Sequence, residues 1–280
     1  MTITGLCMVD THAHLNTSAF DKDRREVIAR ALDAGVGTII TVGTNLESSK
    51  RAIELAERYP EILAAVGFHP HDVATVDKAD IASLGEIANH PRVVAIGEIG
   101  LDFYRDYSPR EAQLQALKWQ LDLAVKLELP VIIHCRQAEG DMLNLLYDWV
   151  SLYKSPRGQG RGVIHCFSGD SDNSRQYLDM GFYLSLGAYI GYPGSESAHD
   201  VIRSIPEDKL LIETDCPFLS PQSHRGKRNE PSYLPLTIEV LASIRGESSE
   251  EVARKTTGNA QRLFLIGTNK GGGCFRRVLR

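Results

Sequence analysis

The sequence predicts a single-domain α/β fold, a (β/α)8 TIM barrel. Three observations lead there. Short apolar runs rich in Val, Ile and Leu alternate with helical stretches, eight such runs can be counted, and the 280 residues are close to the roughly 250 typical of this barrel. The Gly-x-Gly-x-x-Gly turn that marks an open dinucleotide-binding sheet does not follow the first run.

The first strand is expected over Leu6–Val9, leading into Asp10-Thr11-His12-Ala13-His14. Asp21 to Ala34 carries Val27, Ile28, Ala31 and Leu32 at helical spacing and stops at Gly35. Gly37–Gly43 reads as a buried strand, Ser48–Arg58 as a helix ended by Pro60, and Ile62–Gly67 as the third strand, which exits into Phe68-His69-Pro70-His71. A helix over Ala79–Ala88 precedes Val93–Glu98, apolar until its last residue. Ser108-Pro109-Arg110-Glu111 has the form of an N-cap with Pro at the first helical position and opens a helix to Leu127. Leu129–His134, a helix over Glu139–Tyr153, a Pro- and Gly-rich loop over Ser155–Gly162 and Val163–Phe167 repeat the pattern. Asn173–Met180, Phe182–Leu186, Ala198–Ser204 and Lys209–Asp215 complete eight strands, and Pro231–Phe264 reads as two or three closing helices. The barrel is therefore expected over residues 1–266. Residues 267–280, with Gly271-Gly272-Gly273 and a basic end, read as a disordered tail.

Composition narrows the class. With 42% hydrophobic and 24% charged residues the chain can bury a large core. Its formal net charge of -5 gives no global attraction for nucleic acid, so any phosphate must be met by a local basic site. The five cysteines, at 7, 135, 166, 216 and 274, lack metal-finger spacing and fit a reducing cytoplasm better than a disulfide framework. No apolar run approaches the roughly 18 residues of a membrane span. Nothing in the sequence points to a membrane or an obligate protein partner.

Chemistry concentrates at strand ends. In a barrel of this type the C-terminal ends of the strands converge on one pocket. His12 and His14 follow the first strand, Glu98 ends the fourth, His134 the fifth, His165 the sixth and Asp215 the eighth. The set has the count for two divalent ions, one held by His12, His14, Glu98 and Asp215 and a second by Glu98, His134 and His165. Nitrogen and oxygen ligands suit Zn, Mn, Fe or Mg without choosing among them. Cys135, Cys166 and Cys216 each follow a proposed ligand, and strand alternation points them outward, away from the site.

These residues and their flanks resemble the TatD-type metal-dependent hydrolases, the TatD-related DNases within the amidohydrolase-like barrels. The matching segments are Asp10–Leu15, Gly67–His71, Ala95–Asp102, Pro130–Arg136, His165–Gly169, Glu213–Pro217 and His224–Pro231, and the resemblance spans about residues 8–266. It implies a two-metal hydrolase with His12, His14, Glu98, His134, His165 and Asp215 as ligands, and hydrolysis of DNA phosphodiesters as the usual activity. Two positions depart from the pattern. Gln137 stands where many relatives have Asp, and Tyr192-Pro193-Gly194 where many have Lys, so Gly194 offers a phosphate no partner.

Two ions at such a site polarise a phosphoryl oxygen and activate water. Asp215 is the expected proton acceptor, and Glu98 the bridging catalytic carboxylate. Arg225, Lys227 and Arg228 form a basic loop after the last strand, a place where such barrels often bind phosphate. His69 and His71 stand at the rim, serving either substrate contact or loop structure. The activity that the resemblance implies is a DNase attacking single-stranded DNA from the 3′ end. A metal-dependent ester hydrolase such as a D-aminoacyl-tRNA deacylase and, more remotely, an inactive metal-binding scaffold are the alternatives.

Overall fold

The computed structural model describes residues 7–152 and 160–267 and the backbone of 276–277. Eight parallel strands pair in sequence order: β1 (Met8–Ala13), β2 (Val36–Val42), β3 (Ile62–Val66), β4 (Val93–Asp102), β5 (Val131–Arg136), β6 (Gly162–Ile164), β7 (Tyr183–Leu186) and β8 (Leu210–Ile212). A parallel bridge between Ala13 and Cys216 joins the two ends of this sheet. The result is the expected barrel.

Helices fill the crossovers: α1 (Arg24–Asp33), α2 (Leu46–Arg58), α3 (Lys78–Ala88), α4 (Arg110–Leu127), α5 (Glu139–Leu152), α6 (Ser171–Asp179) and α7 (His199–Ser204), followed by α8 (Leu234–Arg245) and α9 (Ser249–Phe264). Side chains that satisfy the orphan amides of the first turn fix several starts. Asn45, Asp77, Asp170 and Ser248 each form a reciprocal capping box. The core follows strand alternation. Val9, Ile40, Leu63, Ile132, Val163 and Leu211 form one cluster, while Met8, Ile39, Ile62, Ile133 and Ile212 pack with the helices in another.

Several expected boundaries move. β1 runs to Ala13 rather than stopping at Val9, so His12 lies inside the strand. β4 continues four residues past Glu98 to Asp102, because Gly100 faces His134 in the β4–β5 register without a side chain to block the approach. A Cβ at Gly100 would stand 1.9 Å from the His134 carbonyl oxygen. Ser108 does not cap α4. Its hydroxyl donates to the His71 carbonyl at 2.8 Å, and Pro109 occupies the cap position. Residues 153–159 of the expected loop, and most of the expected tail, lie outside the described residues. Within that tail Arg276–Arg277 pairs antiparallel with Ile266–Gly267.

Candidate metal centre

Register shifts occur between Asp10 and Ala13 in β1 and between Ile96 and Ile99 in β4. Such irregularities re-aim side chains. Here they accompany His12 and Glu98, which meet at the centre of the barrel mouth.

Glu98 divides its two oxygens between two groups of imidazoles. Oε2 lies 3.3 Å from His12 Nε2 and 3.6 Å from His14 Nε2. Oε1 lies 2.9 Å from both His134 Nδ1 and His165 Nε2, and 3.3 Å from His69 Nε2. Asp215 Oδ1 completes the first group, 3.4 Å from His14 Nε2 and 3.8 Å from His12 Nε2. All six residues expected to be ligands are thus brought together. His69, expected at the rim, joins them through a short turn at Pro70–Asp72 that the sequence spacing did not reveal.

The outer nitrogens of His14, His165 and His134 each have a partner. His14 Nδ1 lies 3.0 Å from the Val42 carbonyl, which can only accept, so Nδ1 carries the proton and Nε2 presents its lone pair inward. His165 Nδ1 meets Glu213 Oε1 at 3.2 Å, and His134 Nε2 meets Asp102 Oδ2 at 3.3 Å. Both carboxylates favour the same inward-facing lone pair, the arrangement that orients metal-binding histidines. His12 Nε2 and His14 Nε2 stand only 3.1 Å apart. His12 Nδ1 is buried without a partner, and the close pair of ring nitrogens with two carboxylates beside it offers the donor types that a divalent cation takes.

The electrostatics agree. Burial would raise the Glu98 carboxyl, but His165, His69 and His12 outweigh it and hold it well below the usual range. For Asp215, burial is likewise overcome by the His14 hydrogen bond and the charges of His12 and His14. Burial opposes charge on His165, His14 and His134, yet Glu98 and the other carboxylates raise all three. In His12 and His69 burial dominates and lowers the value. Both carboxyls are thus biased towards their charged form, which suits a cation.

Comparison with known proteins then decides the family. The TatD related DNase family matches residues 9–265. The chain belongs to the TatD-related DNases. It is 42% identical over 259 residues to a metal-dependent hydrolase, YabD, of Bacillus subtilis, covering 92% of this chain and 99% of that one. It is 38% identical over 265 residues to the 3′-5′ ssDNA/RNA exonuclease TatD of Salmonella typhimurium, covering 92% and 99%. The crystal structure of YjjV, a TatD homolog from Escherichia coli, superposes with a TM-score of 0.86 at 33% identity, covering 93% of this chain and 99% of that one.

In this member of the family the histidines open into a cavity of about 710 Å³. Its wall includes His71, whose Nε2 lies 2.7 Å from Asp102 Oδ2. The basic loop is placed differently from expectation. Arg228 forms a bidentate pair with Asp23 at 2.8 and 2.6 Å and covers the Phe20 ring, so its charge is already used. Arg225 lies over the Tyr192 ring, 4.3 Å from its centroid, and Lys227 is exposed; none of the three lines the cavity. The cations that do line it are Arg105 and Arg136.

Cys135 and Cys166 also line it, contrary to the outward direction expected from alternation. Cys166 has φ +48, and this left-handed residue interrupts the alternation. Burial pushes the Cys135 thiol up to about 12 and Cys166 well above its ordinary value, so both favour the thiol over a metal-binding thiolate. Cys216 is buried in the helix-facing core, as expected. Gln137 and Gly194 lie outside the cavity wall; Gly194 adopts φ +89 with open space where a side chain would stand.

Proposed function

We propose that the protein is a two-metal-dependent phosphodiesterase acting on nucleic acid, a DNase that shortens single-stranded DNA from its 3′ end. The observation that carries this is the division of Glu98 between two nitrogen groups. One carboxylate serving two sets of lone pairs is the arrangement a pair of ions requires. The names of the relatives support the substrate class and the polarity.

In this reading His12, His14, Glu98 and Asp215 hold one ion, while Glu98, His134 and His165 hold the other with His69 beside them. Zn, Mn, Mg and Fe all suit the donors. When bound, the ions polarise the phosphoryl group, acidify water and stabilise the leaving oxygen. The chain's own groups do the rest. Asp102 and Glu213 keep His134 and His165 turned inward. Asp215 turns Oδ1 to the histidines and takes the attacking water's proton on its other oxygen. Asp215 stands on the cavity wall, which supports this role. Among the described residues no helix is long and apolar enough to cross a membrane. The free thiols at Cys7, Cys135, Cys166 and Cys216 support a reducing, cytoplasmic setting.

The test is incubation of metal-free and reloaded protein with 5′-labelled single-stranded DNA, using Mg, Mn and Zn in turn. A descending ladder that chelation abolishes is expected. Release of amino acid from D-aminoacyl-tRNA with the DNA left intact would replace this reading with ester hydrolysis. Metal binding without either reaction would leave a scaffold.

A further inference from the structure

Beside the histidines stands a side chain their chemistry does not require. Phe218 lines the cavity, is 57% exposed and sets its edge against His14, with ring centroids 6.0 Å apart. Single exposed apolar residues are ordinary on protein surfaces. This one, however, stands on a firmly held stretch of backbone. Its N–H donates to the Asp215 carbonyl at 2.9 Å, and its own carbonyl accepts from buried Asn229 Nδ2 at 2.7 Å. The same Asn229 nitrogen also holds the Thr214 carbonyl at 2.8 Å. One buried amide therefore ties the backbone before Asp215 to the backbone of Phe218.

Another part of the cavity wall supplies positive charge. The Arg136 guanidinium lies 4.1 Å from the centroid of the exposed Tyr104 ring, and Arg105 packs near the same ring at 5.5 Å. Among the described residues neither arginine forms an ion pair, although the molecule as a whole is acidic. A planar cation seated on an aromatic ring keeps its outward N–H fork for a phosphate. An apolar ring face and unneutralised arginines around one cavity match an unpaired nucleotide, which offers a flat base and an anionic backbone.

We propose that Phe218 is the base-stacking platform of this site: the base next to the cleaved phosphate stacks on its ring, while Arg136, backed by Tyr104, takes a neighbouring phosphate. The inference rests on the nucleic-acid reading above and deepens it. A base inside a duplex has both faces covered by its neighbours, so this platform selects strands whose terminal base is free. Phe218 offers no hydrogen-bond donor or acceptor. It therefore favours any base over none, without reading sequence.

The experiment measures equilibrium affinity of metal-loaded protein for a 5′-fluorescent oligothymidylate and for the same strand with its 3′-terminal base removed. A phosphorothioate at the 3′-terminal linkage of both strands slows turnover, and metal content and thermal unfolding are followed in parallel. Stacking on one ring is worth about 1–3 kcal/mol, so the wild-type protein should prefer the intact strand by roughly 5- to 150-fold. Phe218→Ala should erase the preference, Phe218→Trp should restore it, and Phe218→Leu, which keeps apolar bulk without a π face, should behave like Ala. Equal affinity of wild-type protein for both strands, or full preference in both the Ala and Leu variants, would overturn the platform while leaving DNA cleavage intact. Loss in the Trp variant as great as in Ala would also overturn it, by showing that the effect lies in the turn. Failure of wild-type protein to bind or cleave either strand would instead overturn the nucleic-acid reading and this inference together.

Discussion

Glu213 Oε1 lies 3.2 Å from His165 Nδ1 and also accepts the Cys166 N–H at 2.7 Å. The carboxylate thereby sets both the tautomer of the ring and the left-handed turn that follows it. Glu213→Ala removes the one oxygen that both donors share. Its metal affinity should fall by about 10- to 100-fold, the usual cost of disturbing an outer partner of a ligand. Equilibrium dialysis with Zn checks this, and unchanged affinity would remove Glu213 from the support of the site.

Asp215 and Glu98 should separate chemistry from metal assembly. Asp215→Asn keeps the size of the carboxylate and one coordinating oxygen, but loses the proton acceptor. A decrease in kcat of about 10²- to 10⁴-fold with metal retained is expected. Glu98→Gln should release both ions, because one charge serves both nitrogen groups. Metal content measured beside kcat distinguishes the two variants; comparable metal loss in Asp215→Asn would make that residue structural.

The network around Arg228 should respond to acid rather than to substrate. Arg30 and Ser232 hydrogen-bond Glu230, and although burial works against them they hold its carboxyl below the ordinary value; the Arg228 hydrogen bond lowers Asp23. A depressed carboxyl contributes its full stability above the unfolded value, about 4.3 for Glu, and loses it as pH falls through the lower folded value. Glu230→Gln should therefore be less stable than wild type at pH 7, and the gap should shrink below about pH 4. Because Arg30 is 45% exposed, the gap at neutral pH belongs at the lower end of the roughly 1.5–3 kcal/mol for charged hydrogen bonds. Urea unfolding across pH reads it; a gap that widened in acid would refute the assignment.

Gly100→Ala should disable the site from the backbone. Its Cβ would meet the His134 carbonyl, so β4 and β5 must part. A loss of at least about 1–3 kcal/mol is expected, together with weaker metal binding. Gly140 provides the contrast. It lies in α5 with open space around its missing side chain, and Gly140→Ala should stabilise the protein by about 0.4–1 kcal/mol. Thermal unfolding and metal content of the two variants make the comparison.

The barrel was legible because each buried strand announces itself as an apolar run, and the ligand set because its residues occupy equivalent places along those runs. His69 was harder to place. It follows a strand as His71 does, and only the turn at Pro70–Asp72 sends the first ring to Glu98 and the second to Asp102. The end of β4 was hidden for the opposite reason. The apolar run ends at Glu98, and the strand goes on beyond it because Gly100 lets β5 lie close. Arg225 and Arg228 look equivalent in a basic loop, yet Arg228 meets Asp23 across 205 residues of sequence. Glu213 and Asp102 are short-range neighbours of obvious motifs whose supporting role becomes visible only when their ring partners are in place.

The join between β1 and the segment after β8 has a consequence for biosynthesis. Asp10 binds the N–H and hydroxyl of Thr214 across 204 residues, and the Asp215 N–H donates to the His12 carbonyl at 2.8 Å. The histidine pair emerges from the ribosome early, whereas the carboxylate that completes its donor group is among the last barrel residues to be made. A nascent chain thus carries an unfinished site throughout most of its synthesis. On the two-metal reading proposed above, full-affinity metal uptake would wait until the barrel can close, and possession of the ion would mark a finished molecule.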